Sequence, residues 1–564
     1  MADFPWFKNY DAGVPRTLEP YPDRTLLDQV YDTARQRPGH TMMWFKGTVI
    51  TYGQFRAHVE GVARALAGLG VKKGDRVALM MPNIPQMLIC QFAVWKAGGV
   101  AVPVNPLYNE AELVHTVKDS GAEIAIVMTP FYRLLKSVQG RAGVKTIIAT
   151  SVKEYLAPLK RFLFGLLMEK KQGHHVEIEA GDLWLQDAIR KYAGAPIPDV
   201  KLSQDDTGLI LFSGGTTGTP KGVMISHGSI FKNGMQTRAW FSTLLTDWDD
   251  VTILLMPLFH IYGNIILVST LLHARVPIVL VPNPRDVPDL LSTIRTTRPR
   301  FFPGIATLFI GLMNNPDVKS GKIDFRSMKM CVAAAAPLLP ETKKSWEALT
   351  GGKLVEAYGL TESGIIAMGP ILGKWKEGAV GLPTPDVEVK IVDILAGEKE
   401  MPTGETGEIA IRSPQIMQGY RNNPEATAEM LRGGWLYTGD VGHLDEDGYL
   451  FITSRKKELI KPSGHQVFPG EVEEVVARHP AVLEVGVAGV RDPEQGEAVK
   501  AWVVLKPDQR CTAEELQAFC KESLTAYKVP RYVEFREMLP KSLIGKVLRR
   551  VLQEEEEKKQ QSGR

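Results

Sequence analysis

Cysteine is scarce: Cys90, Cys331, Cys511 and Cys520 are the four in a chain of 564 residues. They are too few and too scattered for a disulfide framework, and none has metal-ligand spacing with the histidines. A reducing cytoplasm and no zinc site are therefore expected. An excess of either charge is lacking too. Net charge is +3 and no basic stripe carries interleaved aromatics, so no nucleic-acid partner is expected. The N-terminus, Met-Ala-Asp-Phe-Pro-Trp-Phe-Lys, has an acid and a proline where a signal peptide needs an apolar core. Uninterrupted apolar runs are missing as well. The most hydrophobic stretch, residues 251–281, is broken by Pro257, His260, Asn264, His273, Arg275 and Pro277. A spanning helix needs about 20 nearly uncharged apolar residues, so two buried strands and a core helix are expected there. The rest is an ordinary globular balance, 44% apolar and 23% charged. Such a length supports a large core and more than one domain.

Apolar strand-like runs at 76–81, 99–104 and 122–127 alternate with helical patterns at 85–97 and 110–120. Strands alternating with helices of about ten residues imply βαβ units and a parallel sheet covered on both faces. The same alternation recurs over 276–332 and implies a second such sheet. After Arg455 the texture changes to a short helix at 470–479, strands at 485–490 and 498–505, and a helix opened by Thr512 with Glu515 as a capping box. Leu516, Phe519, Cys520 and Leu524 form the apolar stripe of that helix, so Cys520 reads as a core residue. The fold class is α/β, a large N-terminal domain of doubly wound βαβ sheets followed by a small α+β unit. The charged tail from Glu554 is expected to fray in solvent.

Chemistry concentrates at residues 211–222, Leu-Phe-Ser-Gly-Gly-Thr-Thr-Gly-Thr-Pro-Lys-Gly. A buried strand gives way to glycines, hydroxyls and one lysine before a second strand resumes. Glycines let backbone N–H groups turn inward around an anion, hydroxyls add donors, and lysine adds a full charge. This is a phosphate cradle. It is not a Walker loop, because no Gly-Lys-Ser/Thr stands at the required offset. The competing reading is a plain glycine turn.

Four more segments follow: Glu-Ala-Tyr-Gly-Leu-Thr-Glu at 356–362, Gly-Trp-Leu-Tyr-Thr-Gly-Asp at 434–440, Ser-Arg-Lys-Lys at 454–457, and Pro-Lys-Ser-Leu-Ile-Gly-Lys at 540–546. With the cradle, and in this order, they resemble the adenylate-forming superfamily of acyl-CoA synthetases, adenylation domains and luciferases. The resemblance spans most of the chain. It implies that Ser213, Gly214, Gly215, Thr216, Thr217, Gly218 and Lys221 hold the phosphates of ATP, with Thr216, Thr217 and Lys221 nearest the β and γ groups. Tyr358, Gly359 and Ala335 would lie near adenine, Thr361 near the α-phosphate, and Glu362 with Thr216 on Mg2+. Magnesium takes hard oxygen ligands and keeps waters and substrate phosphates, so one carboxylate suffices. Asp440 would accept hydrogen bonds from the ribose diol, with Arg455 as a second contact. Two departures stand out: alanines fill 333–336 where relatives often carry glycines, and Ser454 stands where aspartate is usual.

The resemblance also makes Lys546 the group that brings an anionic carboxylate to an anionic triphosphate. A lysine about 4 Å away contributes roughly 4 kcal/mol at an effective dielectric of 20, about a thousandfold in rate. Without the motif, a solvated surface lysine would be the better reading. Lys457 corresponds to the hinge on which the small domain turns, dividing the chain into 1–456 and 457–564. Gly464 lies in the loop that would line the thiol's path. His260 resembles the histidine beside the acyl carboxylate, against the competing reading of a core histidine. Residues 301–310 are expected along the acyl pocket, since each buried methylene contributes about 0.8 kcal/mol. Residues 155–171 mix a dense apolar block with basic ends, as in helices lying in a membrane interface. Bacterial long-chain fatty acyl-CoA synthetases carry a similar insert.

The expected activity is ligation of a medium- to long-chain fatty acid to coenzyme A through an acyl-adenylate, using ATP and Mg2+ and releasing AMP and pyrophosphate. The alternatives are transfer to a carrier protein, luciferase-type oxidation, and a membrane-associated fatty-acid binder with little turnover. The expected location is cytoplasmic, peripheral on the inner membrane face through 155–171; a homodimer is left open.

Overall fold

A computed structural model describes residues 3–213, 220–541 and 547–561. Among them, eight strands form a first sheet with a parallel centre in the order Ile124–Met128, Arg76–Met80, Val100–Pro103, Thr207–Ser213. The alternation read from the sequence over 76–127 is what builds it. Helix Pro85–Lys96 is buried at every position but Lys96, as an element covered on all sides must be. Trp95 Nε1 donates to the Gly208 carbonyl at 2.7 Å, tying that helix to the root of the strand Thr207–Ser213.

Fourteen described strands form a second sheet. Its first half is parallel, with Ile278–Leu280, Thr252–Leu254, Phe301–Gly304, Met330–Ala334 and Lys353–Leu360 side by side. Beyond Leu360 every strand pairing turns antiparallel, through Gly364–Met368, Ala379–Pro383, Leu450–Arg455, Trp435–Leu444, Gly407–Arg412 and Glu388–Val392. The α/β class holds, with sheets that mix parallel and antiparallel strands. A hairpin needs only a short turn, whereas a parallel pair needs a crossover of a dozen or more residues. The seam between the two regimes is the turn after Leu360. There a side chain on Gly359 would put its Cβ 2.2 Å from the Gly364 carbonyl oxygen, so only glycine lets the strands close.

The third sheet, three strands among the described residues, pairs the hairpin Val482–Asp492 and Gly496–Leu505 with Tyr532–Phe535. Helices Pro469–Ala477 and Ala513–Lys521 cover one face around Val472, Val487, Leu516 and Cys520. Thr512 and Glu515 form the capping box, and Cys520 is fully buried. The described part of the charged tail is helical. Helix Arg549–Gln561 buries Leu552, and its acids find fixed cations: Lys500 meets Glu556 at 2.7 Å and Arg536 meets Glu555 at 2.5 Å. The charge run looked solvated because its partners lie 19 and 56 residues away in sequence.

Over 251–281 the two strands appear as expected, but the helix between them starts as a π-turn, Tyr262–Leu267, before becoming regular at Val268–Ala274. Such turns favour functional sites. Helix Pro158–Leu167 has no buried residue and presents Leu159, Phe162, Leu163, Leu166 and Leu167 outward. No helix of the described residues is long and apolar enough to cross a membrane.

Candidate functional site

The sheet seam gathers the polar residues. Tyr358 closes the parallel half, Asp440 and Arg455 face each other across two antiparallel strands, and Glu362 sits in the turn between. The Tyr358 hydroxyl donates to Asp440 Oδ2 at 2.6 Å, and Arg455 Nε lies 3.0 Å from Oδ1. Asp440 is 3% exposed, so this carboxylate is one a buried charge must be paired to keep. The pairing raises the Arg455 pKa further, chiefly through Asp440, while burial and Asp440 push the Tyr358 phenol well above its ordinary value. Each carboxylate oxygen has two lone pairs, so Asp440 keeps capacity for an added diol. Asp440 does not lie at a strand end. It lies inside Trp435–Leu444, where the register against Gly407–Arg412 slips and Gly439 turns to φ 69°. The bulge re-aims the carboxylate toward Tyr358.

Glu362 is 8% exposed; burial raises its pKa, and the Tyr420 hydroxyl, donating to Oε1 at 2.8 Å, lowers it. Tyr420 was not singled out from sequence. It reaches the site because Gly419–Tyr420 adds an edge strand to Lys221–Ser226, pairing Tyr420 with Val223. Its ring then lies 4.8 Å under Lys221 Nζ, a cation–π contact at the mouth of the cradle. The only local signal was an aromatic after glycine, just ahead of the Asn423 cap of helix Pro424–Met430. Among the described residues no group of three or more His, Cys, Asp or Glu side chains is placed to hold a metal.

Ser213 and Lys221 face each other across the two strands that flank the cradle. Gly214, Gly215, Thr216, Thr217 and Gly218 lie outside the described residues, as does Lys546. On either side of the latter segment, Lys541 and Val547 form an antiparallel bridge and Leu548 N–H donates to the Pro540 carbonyl at 2.8 Å. Thr361 follows Leu360 in the seam turn.

Beside Tyr358 opens a small cavity of about 40 Å³, lined by His260, Tyr262, Ala335 and Gly359 together with Phe241, Ile266, Leu267 and Met368. Residues 301–310 are not among its lining. Phe301–Gly304 is a fully buried central strand, and Phe309 packs edge-on against Trp346, so these aromatics fill the core. The π-turn supplies the wall instead. His260 is pushed down to about 4 by burial, and its Nδ1 accepts the Tyr262 N–H at 3.3 Å. A neutral ring with Nδ1 so engaged carries its proton on Nε2. Ala335 sits at φ 69°, the left-handed backbone that glycine adopts freely. Its loop is fastened by Glu356, whose Oε1 accepts the Leu338 N–H at 3.1 Å and whose carboxyl burial pushes up to about 7.

Lys457 is exposed in the short 3₁₀ turn Lys456–Glu458. Gly464 is exposed in Pro462–Gly464, a turn whose Ser463 and Gly464 both take positive φ, next to His465, which stacks on Tyr527 at 4.5 Å. The structure thus brings Lys221, Tyr358, Glu362, Asp440 and Arg455 into one neighbourhood with His260 and Ala335 on the cavity wall. It leaves Lys457 and Gly464 at the surface.

Residues 30–421 match the AMP-binding enzyme family, and residues 471–546 match the AMP-binding enzyme C-terminal domain. A long-chain-fatty-acid–CoA ligase of Bacillus subtilis (strain 168) is 37% identical over 554 residues, covering 98% of both chains. One of Yersinia pestis is 37% identical over 561 residues, again with 98% of both covered. The crystal structure of an anthranilate CoA ligase in complex with anthranoyl-AMP superimposes with a TM-score of 0.81 at 27% identity, covering 95% of this chain and 98% of that one.

Proposed function

The chain belongs to the AMP-binding enzyme family, and from that premise we propose that it ligates a medium- to long-chain fatty acid to coenzyme A. The fatty carboxylate attacks the α-phosphorus of ATP, the bond to pyrophosphate breaks, and an acyl-adenylate stays bound. The thiol sulfur of coenzyme A then attacks the acyl carbon and loses its proton, and AMP leaves as the bond between the acyl carbon and its phosphate oxygen breaks. The observation that carries this reading is the pairing of a buried acid–base cluster, Tyr358–Asp440–Arg455, with an apolar cavity at its side. One part suits a nucleotide, and the apolar wall beside it suits the start of an acyl chain.

In this reading Asp440 and Arg455 take the ribose, and Tyr358, Gly359 and Ala335 flank the adenine. Thr361 lies toward the α-phosphate, and Ser213 through Gly218 with Lys221 cradle the triphosphate. Glu362 and Thr216 would hold Mg2+, which supplies charge neutralisation of the phosphates. Glu362 fits that task, being a buried acid steadied by Tyr420 through one oxygen. His260, neutral and donating through Nε2, hydrogen-bonds the incoming carboxylate. Lys546 bridges carboxylate and phosphate in the first half-reaction. The small domain, 457–564, then rotates at Lys457 and brings Gly464 to the thiol's path.

Peripheral contact with the inner face of a membrane belongs to the same reading. Leu159, Phe162, Leu163 and Leu166 recur at three- and four-residue spacing on one exposed helix face, and Lys160, Lys170 and Lys171 are exposed beside them. Apolar burial with basic flanks fits an anionic lipid surface. The decisive experiment measures AMP release with CoA across acetate, 4-coumarate, octanoate and palmitate. Palmitate or octanoate should exceed the others at least tenfold in kcat/KM; a preference for acetate or coumarate would reject the fatty-acid assignment. Transfer to a carrier protein would show as pyrophosphate exchange unaffected by CoA.

A further inference from the structure

Two ion pairs stand immediately on either side of Lys457, and they tie the chain to different parts of the fold. Lys456 Nζ lies 2.7 Å from Glu408 Oε2, on the strand Gly407–Arg412 of the large sheet. The other oxygen of Glu408 accepts the Gly439 N–H at 3.2 Å, in the bulge that aims Asp440. On the far side, Glu458 pairs with Arg549 at the start of the last helix. Arg549 also forks onto Glu473 of helix Pro469–Ala477, through Nε to Oε1 at 3.0 Å and Nη2 to Oε2 at 2.6 Å. The Glu408, Glu458 and Arg549 side chains are only 5, 9 and 17% exposed.

We propose that these pairs are the two anchors of the domain swing: Glu408 holds Lys456 to the large domain, Arg549 holds Glu458 to the small one, and the rotation is confined to the dihedrals of Lys457. The inference rests on reading Lys457 as the pivot. Hinges are a few positions that absorb backbone rotation, and which positions do so depends on which neighbours are held. An exposed pair would hold nothing firmly. A buried carboxylate that gives up its cation is left stranded, so each anchored residue moves with its body. Arg549 lies three residues beyond Lys546, so the small-domain anchor also fixes the root of the segment bearing that lysine relative to the pivot. Glu408 does the same for the ribose carboxylate on the other side.

The test is a rescue. Lys457→Pro, assayed by half-reactions, should leave adenylate formation within about threefold and lower CoA transfer to supplied acyl-AMP by at least about a hundredfold. Adding Glu458→Gln or Glu408→Gln to that background frees the neighbouring peptide to take up the rotation, and either should restore CoA transfer at least about fivefold. Loss of a merely structural pair lowers activity further and rescues nothing. Because the anchors lie in different domains, one double variant suffices if the other fails to fold by near-UV circular dichroism. No rescue from a folded double variant overturns the anchors while leaving the pivot intact. Equal damage to both half-reactions by Lys457→Pro alone overturns the pivot and the anchors with it.

Discussion

The nucleotide cluster and the small C-terminal unit are built on opposite plans. Tyr358, Glu362, Asp440 and Tyr420 are buried and hold one another through hydrogen bonds between strands of two sheets. Lys457 and Gly464 are exposed on short turns, and the unit carrying them is held together around its own apolar core and a ring of ion pairs. The first arrangement fixes charge before substrate arrives, so no reorganisation is needed in the reaction. In the proposed reading the second would let the unit move as a body, with the groups that stay put held by desolvated polar contacts and the groups that travel carried on a separate core.

Removing the carried charge should break this division most sharply. Lys546→Ala is expected to lower adenylate formation about a thousandfold, the counterpart of roughly 4 kcal/mol. CoA transfer to supplied acyl-AMP should change by no more than a few-fold. Equal losses in the two half-reactions would remove Lys546 from its role.

Next in size is Asp440→Asn, which leaves Arg455 without its charge partner in a half-buried site. A loss of about 2 kcal/mol, near thirtyfold in KM for ATP, is expected. Because the cluster stays in place through both half-reactions, AMP affinity should fall as well; unchanged nucleotide binding would count against Asp440 as a ribose contact.

Acid should separate the two regions. Burial pushes His174, His227, His260 and His273 down to about 4, all in the large region. A depressed histidine contributes stability above its unfolded pKa, about 6.5, that is lost as pH falls through the folded value. In the small unit Glu534 is held at about 2: its burial works the other way, but Lys500, Lys559 and Arg536 outweigh it. That contribution is intact above about 4.5 and is lost only on the way down to about 2. Hydrogen exchange by peptide should show the large region loosening between pH 6.5 and 4 while the hairpin 482–505 stays protected. Simultaneous loosening of both would contradict it.

The smallest effect is a gain. Ala335 holds a left-handed backbone that costs an alanine about 1 kcal/mol relative to glycine. Ala335→Gly should raise stability by up to about 1 kcal/mol in chemical denaturation, offset in part by the greater freedom of glycine in the unfolded chain. A fall in stability would mean the methyl group packs usefully against the cavity.

Much of this was legible in the chain. The alternation over 76–127 foretells the parallel centre of the first sheet, and Thr512 with Glu515 foretells a helix start, since both depend on neighbours a few residues apart. The antiparallel half of the second sheet was not foreseen, nor was the ordered tail. The role of 301–310 was not legible, because a run of aromatics looks the same whether it faces a ligand or packs on Trp346.

Local order of residues carried the expectation of an anion cradle, since glycines and hydroxyls before a lysine offer inward N–H groups, donors and a charge. Through-space order settled who partners whom. Glu362 meets Tyr420 across 58 residues and Tyr358 meets Asp440 across 82, and no window of sequence contains either pair. The reason is physical: hydrogen bonding within a motif is a short-range property of the backbone, whereas desolvation, and the charge pairing it demands, depends on how densely distant segments pack around a group.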